Sequence, residues 1–452
     1  NYNMDIKIVV IGVGEVGYNL VKALSKDSFD ITIIDIDEEK CHRVTNSMDV
    51  RGIVGDGASQ RILQQIDMPS TDYLLALTKV DEVNLVAAKS AYEMGAKKII
   101  CRLRNTEYSH RSAIITPDQF GIDHVVYPEK AAQIDIENLI RQTSAVDLEE
   151  FKDGKINMLG IHLNHTSPLI GRNIRKVEMS NPYIPHKLAL LIRDNDSIIP
   201  NSNMVYKKDD ICFYIGKNKD MSAIQSMTGK PSFKVKNIMI LGAGKIGRLL
   251  AKSLQNDYNV RIIEINHDKA KNIGKNLTET LVLDADGLDI DFLTSENIEE
   301  TDCFIAATEN EQTNILASLL VKHYGVRQVI LHITTTNYIR AFRRIGADAI
   351  VSKNISAVNQ VLKLIRSDQQ ELTVSRFEDL DVDAIEISVS GNSPYIKKRY
   401  VMDQIPEDLC IGSIFRNGEI IIPNIYTEIH EGDELLVITK EENLSKAEKL
   451  FQ

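Results

Sequence analysis

The sequence predicts an α/β chain built twice over: two Rossmann-type, doubly wound parallel sheets, each followed by a small α+β C-terminal lobe, in tandem duplication. Three observations carry this. Short, near-continuous apolar runs alternate with helix-period segments, which is how strands buried on both faces of a parallel sheet read. The segment Gly12-Val13-Gly14-Glu15-Val16-Gly17 returns as Gly242-Ala243-Gly244-Lys245-Ile246-Gly247, 230 residues later. The same offset carries Asp56, Thr78, Asn84 and Tyr108 onto Asp286, Thr308, Asn314 and Tyr338, and Ile198-Ile199-Pro200-Asn201 returns 223 residues on as Ile421-Ile422-Pro423-Asn424. Residues that no regular-structure rule forces to recur do so here, which marks a duplication rather than two chance glycine motifs.

Six runs predict the first sheet: Ile6 to Ile11, Phe29 to Ile36, Gly52 to Gly55, Tyr73 to Thr78, Lys98 to Leu103 and Asp123 to Tyr127. The second sheet is read from Ile238 to Leu241, Val260 to Ile265, Thr280 to Leu283, Cys303 to Thr308, Val329 to Ile333 and Ala349 to Ser352. The helix after each glycine motif keeps one apolar face, Val16, Leu20 and Leu24 in the first half and Ile246, Leu250 and Leu254 in the second. A helical stretch leaves each sheet, Glu129 to Arg141 and Asn354 to Arg366. The pattern then shifts to short, turn-rich, roughly alternating segments, from about Val146 to Ile224 and from Leu372 to Thr439. The domains are therefore placed at 1–142 and 234–367 for the parallel sheets and at 143–228 and 368–452 for the small lobes. Lobes of this size are too short to be the catalytic domain of most dehydrogenases.

At 43% hydrophobic and 26% charged residues, composition is that of an ordinary soluble globular chain. No uninterrupted apolar stretch is long enough to span a bilayer, and the N-terminal residues run into an apolar strand without the pattern of a signal peptide. A net charge of −11 argues against non-specific binding to nucleic acid or an anionic membrane surface, though not against docking to a membrane protein. The five cysteines are scattered, with no Cys-x-x-Cys, and read as reduced thiols.

In each glycine motif the first glycine permits the tight strand-to-helix turn, the second lets backbone approach a pyrophosphate, and the third lets helix pack on strand. The helix N-terminus then offers N–H groups and a positive dipole end to phosphates. Asp35 and Glu264 close the second strand of each half, where a carboxylate accepts hydrogen bonds from the adenosine ribose. Both should repel a 2'-phosphate, so both sites are expected to prefer NAD or plain adenine nucleotides to NADP. Asp56 and Asp286 follow the third strand, placed either to accept an adenine amino group or to cap the next helix. Thr78, Asp81, Glu82 and Asn84, echoed by Thr308, Glu311, Gln312 and Asn314, stand at the end of the fourth strand, at the ligand-binding mouth of such sheets. The Thr-x-x-Asp/Glu spacing equally makes a capping box.

The two sites differ. Glu15 in the first motif is Lys245 in the second, and Arg102 is matched by His332. Beside phosphates an acid and a base act oppositely, so the Lys245 site is expected to tolerate more terminal phosphate charge and the Glu15 site to prefer a dinucleotide. His162-x-x-His165 is a weak metal signal, since an odd spacing on a strand points the rings to opposite faces and no third ligand is evident. Nothing resembles a nucleophile with its base.

On these residues the chain resembles the TrkA-type regulatory subunits of bacterial potassium uptake, which carry tandem RCK (KTN) domains. The resemblance covers nearly the whole chain and rests on Gly12/Gly14/Gly17 and Gly242/Gly244/Gly247, on Asp35 and Glu264, on Gly55-Asp56, on Thr78 with Asp81, Glu82 and Asn84, and on the Ile-Ile-Pro-Asn of the small lobes. Asp284-Ala285-Asp286, Gln312 and His332 depart from the pattern and bear on which ligand the second site takes. The resemblance implies a non-enzymatic cytoplasmic protein, peripheral at the inner face of the membrane, that self-associates as a dimer or tetramer ring. It further implies binding of NAD(H) and ATP/ADP, docking to an integral membrane potassium transporter of TrkH type, and gating by nucleotide exchange. The helical stretches leaving the sheets are the candidate crossovers for that motion. Two alternatives are an NAD-dependent dehydrogenase, which needs a proton donor or acceptor beside the nicotinamide, and an RCK-type regulator of a different ion transporter.

Overall fold

The computed structural model describes residues 6–452 apart from 26–28, 144, 146, 153, 181–182, 195, 202, 337–338, 340–346, 370–372, 378–381 and 399, so Tyr338, Val146 and Leu372 lie outside the described residues. The first half runs β1 (Ile6–Ile11), α1 (Glu15–Leu24), β2 (Phe29–Asp35), α2 (Glu38–Ser47), β3 (Arg51–Val54), α3 (Gln60–Leu63), β4 (Tyr73–Ala76), α4 (Asp81–Glu93), β5 (Lys98–Arg102), β6 (His124–Val126) and α5 (Pro128–Arg141). The small lobe that follows holds β7 (Asp147–Phe151), β8 (Ile156–His162), α6 (Ile174–Ser180), β9 (Lys187–Arg193), β10 (Asp196–Ile198), β11 (Ile211–Lys217) and α7 (Met221–Met227).

The second half runs β12 (Asn237–Leu241), α8 (Lys245–Leu254), β13 (Asn259–Glu264), α9 (His267–Gly274), β14 (Leu281–Asp284), α10 (Ile290–Ser295), β15 (Cys303–Ala306), α11 (Glu311–His323), β16 (Gln328–Ile333), β17 (Ala349–Ser352) and α12 (Lys353–Gln369). Its small lobe holds β18 (Thr373–Phe377), β19 (Val382–Ser388), α13 (Pro394–Lys397), β20 (Leu409–Arg416), β21 (Glu419–Ile421), β22 (Glu434–Thr439) and α14 (Leu444–Phe451).

The large sheets have the order β3-β2-β1-β4-β5-β6 and β14-β13-β12-β15-β16-β17, the doubly wound arrangement with its switch point between the first and fourth strands of each half. The chain divides into two compact units. One comprises the residues up to Asp135 together with Ile333–Thr336 and Val351–Ile365, and the other the remainder.

In the first unit, strand alternation puts Ile8 and Val10 into one core and Val9 and Ile11 into the other. Leu85, Ala88 and Ala91 of α4 cover the second of these faces. The first is covered by α1 and, from the far end of the sequence, by Ala357, Val358, Val361, Leu362 and Ile365 of α12. Those five residues recur at alternating one- and three-residue steps and form a single apolar stripe. The helix leaving the second sheet thus completes the core of the first. In the second unit the end of α5 turns toward the other sheet, where the Gln328 side-chain amide donates to the Leu139 carbonyl at 3.0 Å.

Both small lobes lie in the second unit and trace one path, β7-β8-β11-β9-β10 and β18-β19-β22-β20-β21, with antiparallel pairings. Each contains the same forked ion pair. Arg193 holds Asp210 through Nε and Nη2 at 2.8 Å each, and Arg416 holds Asp433 at 2.7 Å each. The second guanidinium nitrogen also donates to a loop carbonyl, of Val205 or of Glu428. The two lobes share one core, in which Phe151, Met158, Leu190, Phe213 and Ile215 pack with Val382, Ala384, Cys410, Leu436 and Ile438. Lys152 of the first lobe reaches Glu386 and Glu434 of the second, both at 2.9 Å. All five cysteines are free and buried.

Burial alone would raise the Asp433 carboxyl, but hydrogen bonds from Arg416 and the His430 N–H outweigh it and hold the group below its ordinary value. A carboxyl lowered in the folded state contributes stability that is complete above its unfolded value and is lost as pH falls through the folded one. Asp433→Asn should therefore flatten the acid side of the melting profile. Arg416→Ala, which leaves a 1% exposed carboxylate without its partner, should cost about 3–5 kcal/mol, read as a fall in the thermal midpoint at neutral pH.

Candidate functional site

The two glycine motifs form turns of one geometry. Gly12 and Gly242 take φ of +92° and +98°, and a Cβ at either would lie within 3 Å of Thr78 or Thr308. A Cβ at Gly17 or Gly247 would sit 1.9 Å from the carbonyl oxygen of Gly12 or Gly242. The middle glycines differ. Both have φ of −69°, and a Cβ would meet nothing within 4 Å at Gly14 and only the Ala307 carbonyl, at 3.9 Å, at Gly244. The fold requires the first and third glycines, while the second faces open space at the helix start, where a pyrophosphate would approach. Gly14 and Gly244 are also the N-caps of α1 and α8 and supply no side-chain cap, so the first-turn N–H groups suit an anion. Val13 and Ala243 are fully buried beneath the turn, and Val16 and Ile246 are buried on the inner face of the helix.

Asp35 accepts from the Val13 N–H at 2.7 Å and from the Asp37 N–H at 2.9 Å, tying the end of β2 to the glycine turn. Glu264 does the same with Ala243 and Asn266, both at 3.0 Å, and lies 3.2 Å from Lys269 Nζ. Burial opposes its charge, but the two N–H groups and Lys269 prevail and hold it below the ordinary carboxylate range. Beside each acid stands an isoleucine missed by the sequence reading, Ile36 at 76% and Ile265 at 70% exposure. Each offers an apolar surface suited to a flat adenine ring. The signal was present, because the apolar alternation continues one residue past each acid.

Asp56 and Asp286 shape their own loops, accepting from the Ala58 and Leu288 N–H at 2.9 Å. They do not cap the following helices, whose N-caps are Ser59 and Asp289. The capping-box reading of Thr78 and Asp81 does not hold either. The N-cap of α4 is Val80, and Asp81 accepts instead from the N–H groups of Arg104 and Asn105, at 2.8–3.0 Å. In the second half Asn310 caps α11.

Asn84 and Asn314 are fully buried. Asn84 accepts from the Thr78 N–H and hydroxyl at 2.9 and 2.7 Å and donates to the Thr78 and Arg102 carbonyls at 3.0 and 2.9 Å. Asn314 binds Thr308 and the His332 carbonyl in the same four ways. An amide so engaged has no capacity left for a ligand. Each asparagine clamps the end of the fourth strand to the fifth and thereby positions Arg102 or His332.

Arg102 is 6% exposed, and its Nε has no hydrogen-bond partner. Burial lowers its pKa, which the nearby Glu129 opposes. Glu129 in turn is ion-paired with Lys353 at 3.1 Å. His332 is 4% exposed. At the fourth motif position, Glu15 accepts from the Thr336 hydroxyl at 3.3 Å, and Thr336 also accepts from the Asn19 amide at 3.4 Å. A residue of the second half therefore reaches the first motif, a contact that no sequence signal announces. Lys245 begins α8 at the corresponding place. His162 lies 3.6 Å from Asp209. Among the described residues no His, Cys, Asp and Glu cluster could hold a metal ion, and no helix is long and apolar enough to cross a membrane.

These features define tandem nucleotide-type α/β lobes with small antiparallel partners, and solved structures share the arrangement. The GsuK RCK domain superposes with a TM-score of 0.58 at 16% identity, over 99% of this chain and 95% of that one. A GsuK channel bound to NAD also gives 0.58, at 15% identity over 99% and 79%. The TrkA-N domain model matches residues 8–128 and 238–353, and the TrkA-C domain model matches 385–452. Two Trk system potassium uptake proteins of Methanosarcina mazei, TrkA homologs 1 and 2, are 32% and 31% identical over 99% of this chain and all of theirs. The TrkA homolog of Archaeoglobus fulgidus is 30% identical with the same coverage. The chain belongs to the TrkA family of Trk system potassium uptake proteins.

The glycine geometry makes a sharp contrast. Gly17→Ala, forced against the Gly12 carbonyl, should lower the thermal midpoint by an amount corresponding to about 1–3 kcal/mol or more. Gly14→Ala should leave it unchanged, as read by scanning calorimetry of the two full-length variants.

Proposed function

We propose that this chain is a nucleotide-sensing regulatory subunit that gates an integral membrane potassium transporter of TrkH type. Its two sheet mouths bind NAD(H) and the adenine nucleotides ATP and ADP. The observation that carries this reading is the pair of cradles. Each joins an unobstructed middle glycine at a helix N-terminus, an acid at the ribose position 22 or 21 residues from the N–H it holds, and an exposed isoleucine beside it. Pyrophosphate, ribose and adenine each find a matching surface in that order. Family membership supports the transport role, and the GsuK channel, of similar fold, is described as NAD-bound.

A regulator fits better than a dehydrogenase. Among the described residues the small lobes pack their apolar faces on each other, and neither of them forms a separate domain of a size to hold a substrate against a nicotinamide. As a peripheral cytoplasmic protein associating with copies of itself, the chain would act on its membrane partner only through a ligand's differential affinity for two conformations. The helix α12, seated in the core of the first sheet, is the element through which such a change would pass. The buried Arg102, with an unsatisfied N–H, suits a phosphate oxygen at the first mouth.

Calorimetric titration of the full-length chain should show two binding events for NADH or ATP, and Asp35→Ala should weaken NADH at the first site about tenfold or more. Absence of any nucleotide binding would overturn the proposal. Co-reconstitution with a TrkH-type transporter should make potassium flux nucleotide-dependent, and flux indifferent to nucleotide would refute the gating role.

A further inference from the structure

The acids that end β2 and β13 sit in different electrostatic surroundings. From acid into helix the first half reads Asp35-Ile36-Asp37-Glu38-Glu39-Lys40, with four acids and one lysine, and the second reads Glu264-Ile265-Asn266-His267-Asp268-Lys269, with two acids and one lysine. The local backbone is the same. Asp37 and Asn266 are both N-caps, accepting from the Lys40 and Lys269 N–H at 3.2 and 3.0 Å.

What differs is where the lysine side chain goes. Anionic Asp37 draws Lys40 Nζ to 3.4 Å. Neutral Asn266 exerts no such pull, and Lys269 Nζ lies 3.2 Å from the Glu264 carboxylate instead. Glu264 is also withdrawn, with 8% of its side chain exposed against 42% for Lys269, so the ammonium is the more accessible group. Where the first half has Glu38, the second has His267, whose ring pairs with Asp284 and whose pKa that carboxylate raises.

Resting on the reading that both mouths bind nucleotides, we infer that the second site accepts an adenine nucleotide carrying a 2'-phosphate on its adenosine ribose, as in NADPH, whereas the first rejects that phosphate, and that Lys269 sets the difference. A ribose phosphate at the first site faces the Asp35 carboxylate among further acids. At the second site the lysine offsets the acid and can itself hydrogen-bond the phosphate. The sequence expectation that both acids exclude such a phosphate is thereby revised for one of them.

Single-site reporters test this in the full-length chain. Gly14→Asp and Gly244→Asp place a carboxylate where the phosphates would lie, at positions whose φ and surrounding space accept a side chain. Each variant should fold and report the other site. Calorimetry with NADH and NADPH should give a Kd ratio of NADPH to NADH about tenfold smaller at the second site than at the first. In the Gly14→Asp background, Lys269→Gln and Asn266→Asp should each raise that ratio toward the value at the first site, the latter by drawing the lysine away. Equal ratios at the two sites, or a ratio unmoved by Lys269→Gln, overturn the assignment while the nucleotide reading stands. Failure of the Gly14→Asp chain to bind NADH overturns the assignment together with the nucleotide reading of that site.

Discussion

A close approach in each half, between the helix α1 or α8 and the turn that precedes it, constrains everything built around it. Only glycine fits at 17 and 247, because the carbonyl of the first motif glycine occupies the place of a Cβ. That contact sets the helix start directly over the carboxyl end of the sheet. The acid of the next strand can then reach the turn's own N–H, and Asn84 or Asn314 can lock the far side of the mouth. Helix dipole, carboxylate and strand ends converge because the backbone is allowed to touch.

Much of this was legible in the residues. The apolar runs marked each parallel strand to within a residue or two, since a strand buried on both faces is apolar at nearly every position. The roles of side chains at the mouth were harder to read. Thr78 and Asp81 have the spacing of a capping box, yet Asp81 turns to the Arg104 and Asn105 amides, which lie over twenty residues away and leave no local trace. Asn84 reads as a ligand contact by position, and only its four internal hydrogen bonds reveal a clamp. The sequence likewise placed a helix at Asn354 to Arg366, but a helical stretch does not say which sheet it will cover.

Duplication preserved the skeleton and rewrote the charges on it. The forked pairs Arg193–Asp210 and Arg416–Asp433 agree within 0.1 Å, and the two asparagine clamps agree bond for bond. Against that constancy, long side chains at matched places take different partners: Lys40 lies beside the cap residue Asp37, whereas Lys269 lies beside Glu264. Both small lobes trace the same sheet path.

The placement of α12 has a consequence for how the chain is made. The first sheet leaves the ribosome early, but the stripe from Ala357 to Ile365 that fills one of its cores is encoded more than two hundred residues later. At ordinary elongation rates of about 5–20 residues per second, that face waits roughly 10–50 s for its cover. During that interval the part of this core that α12 fills stays without its helix, and only α1 covers the face.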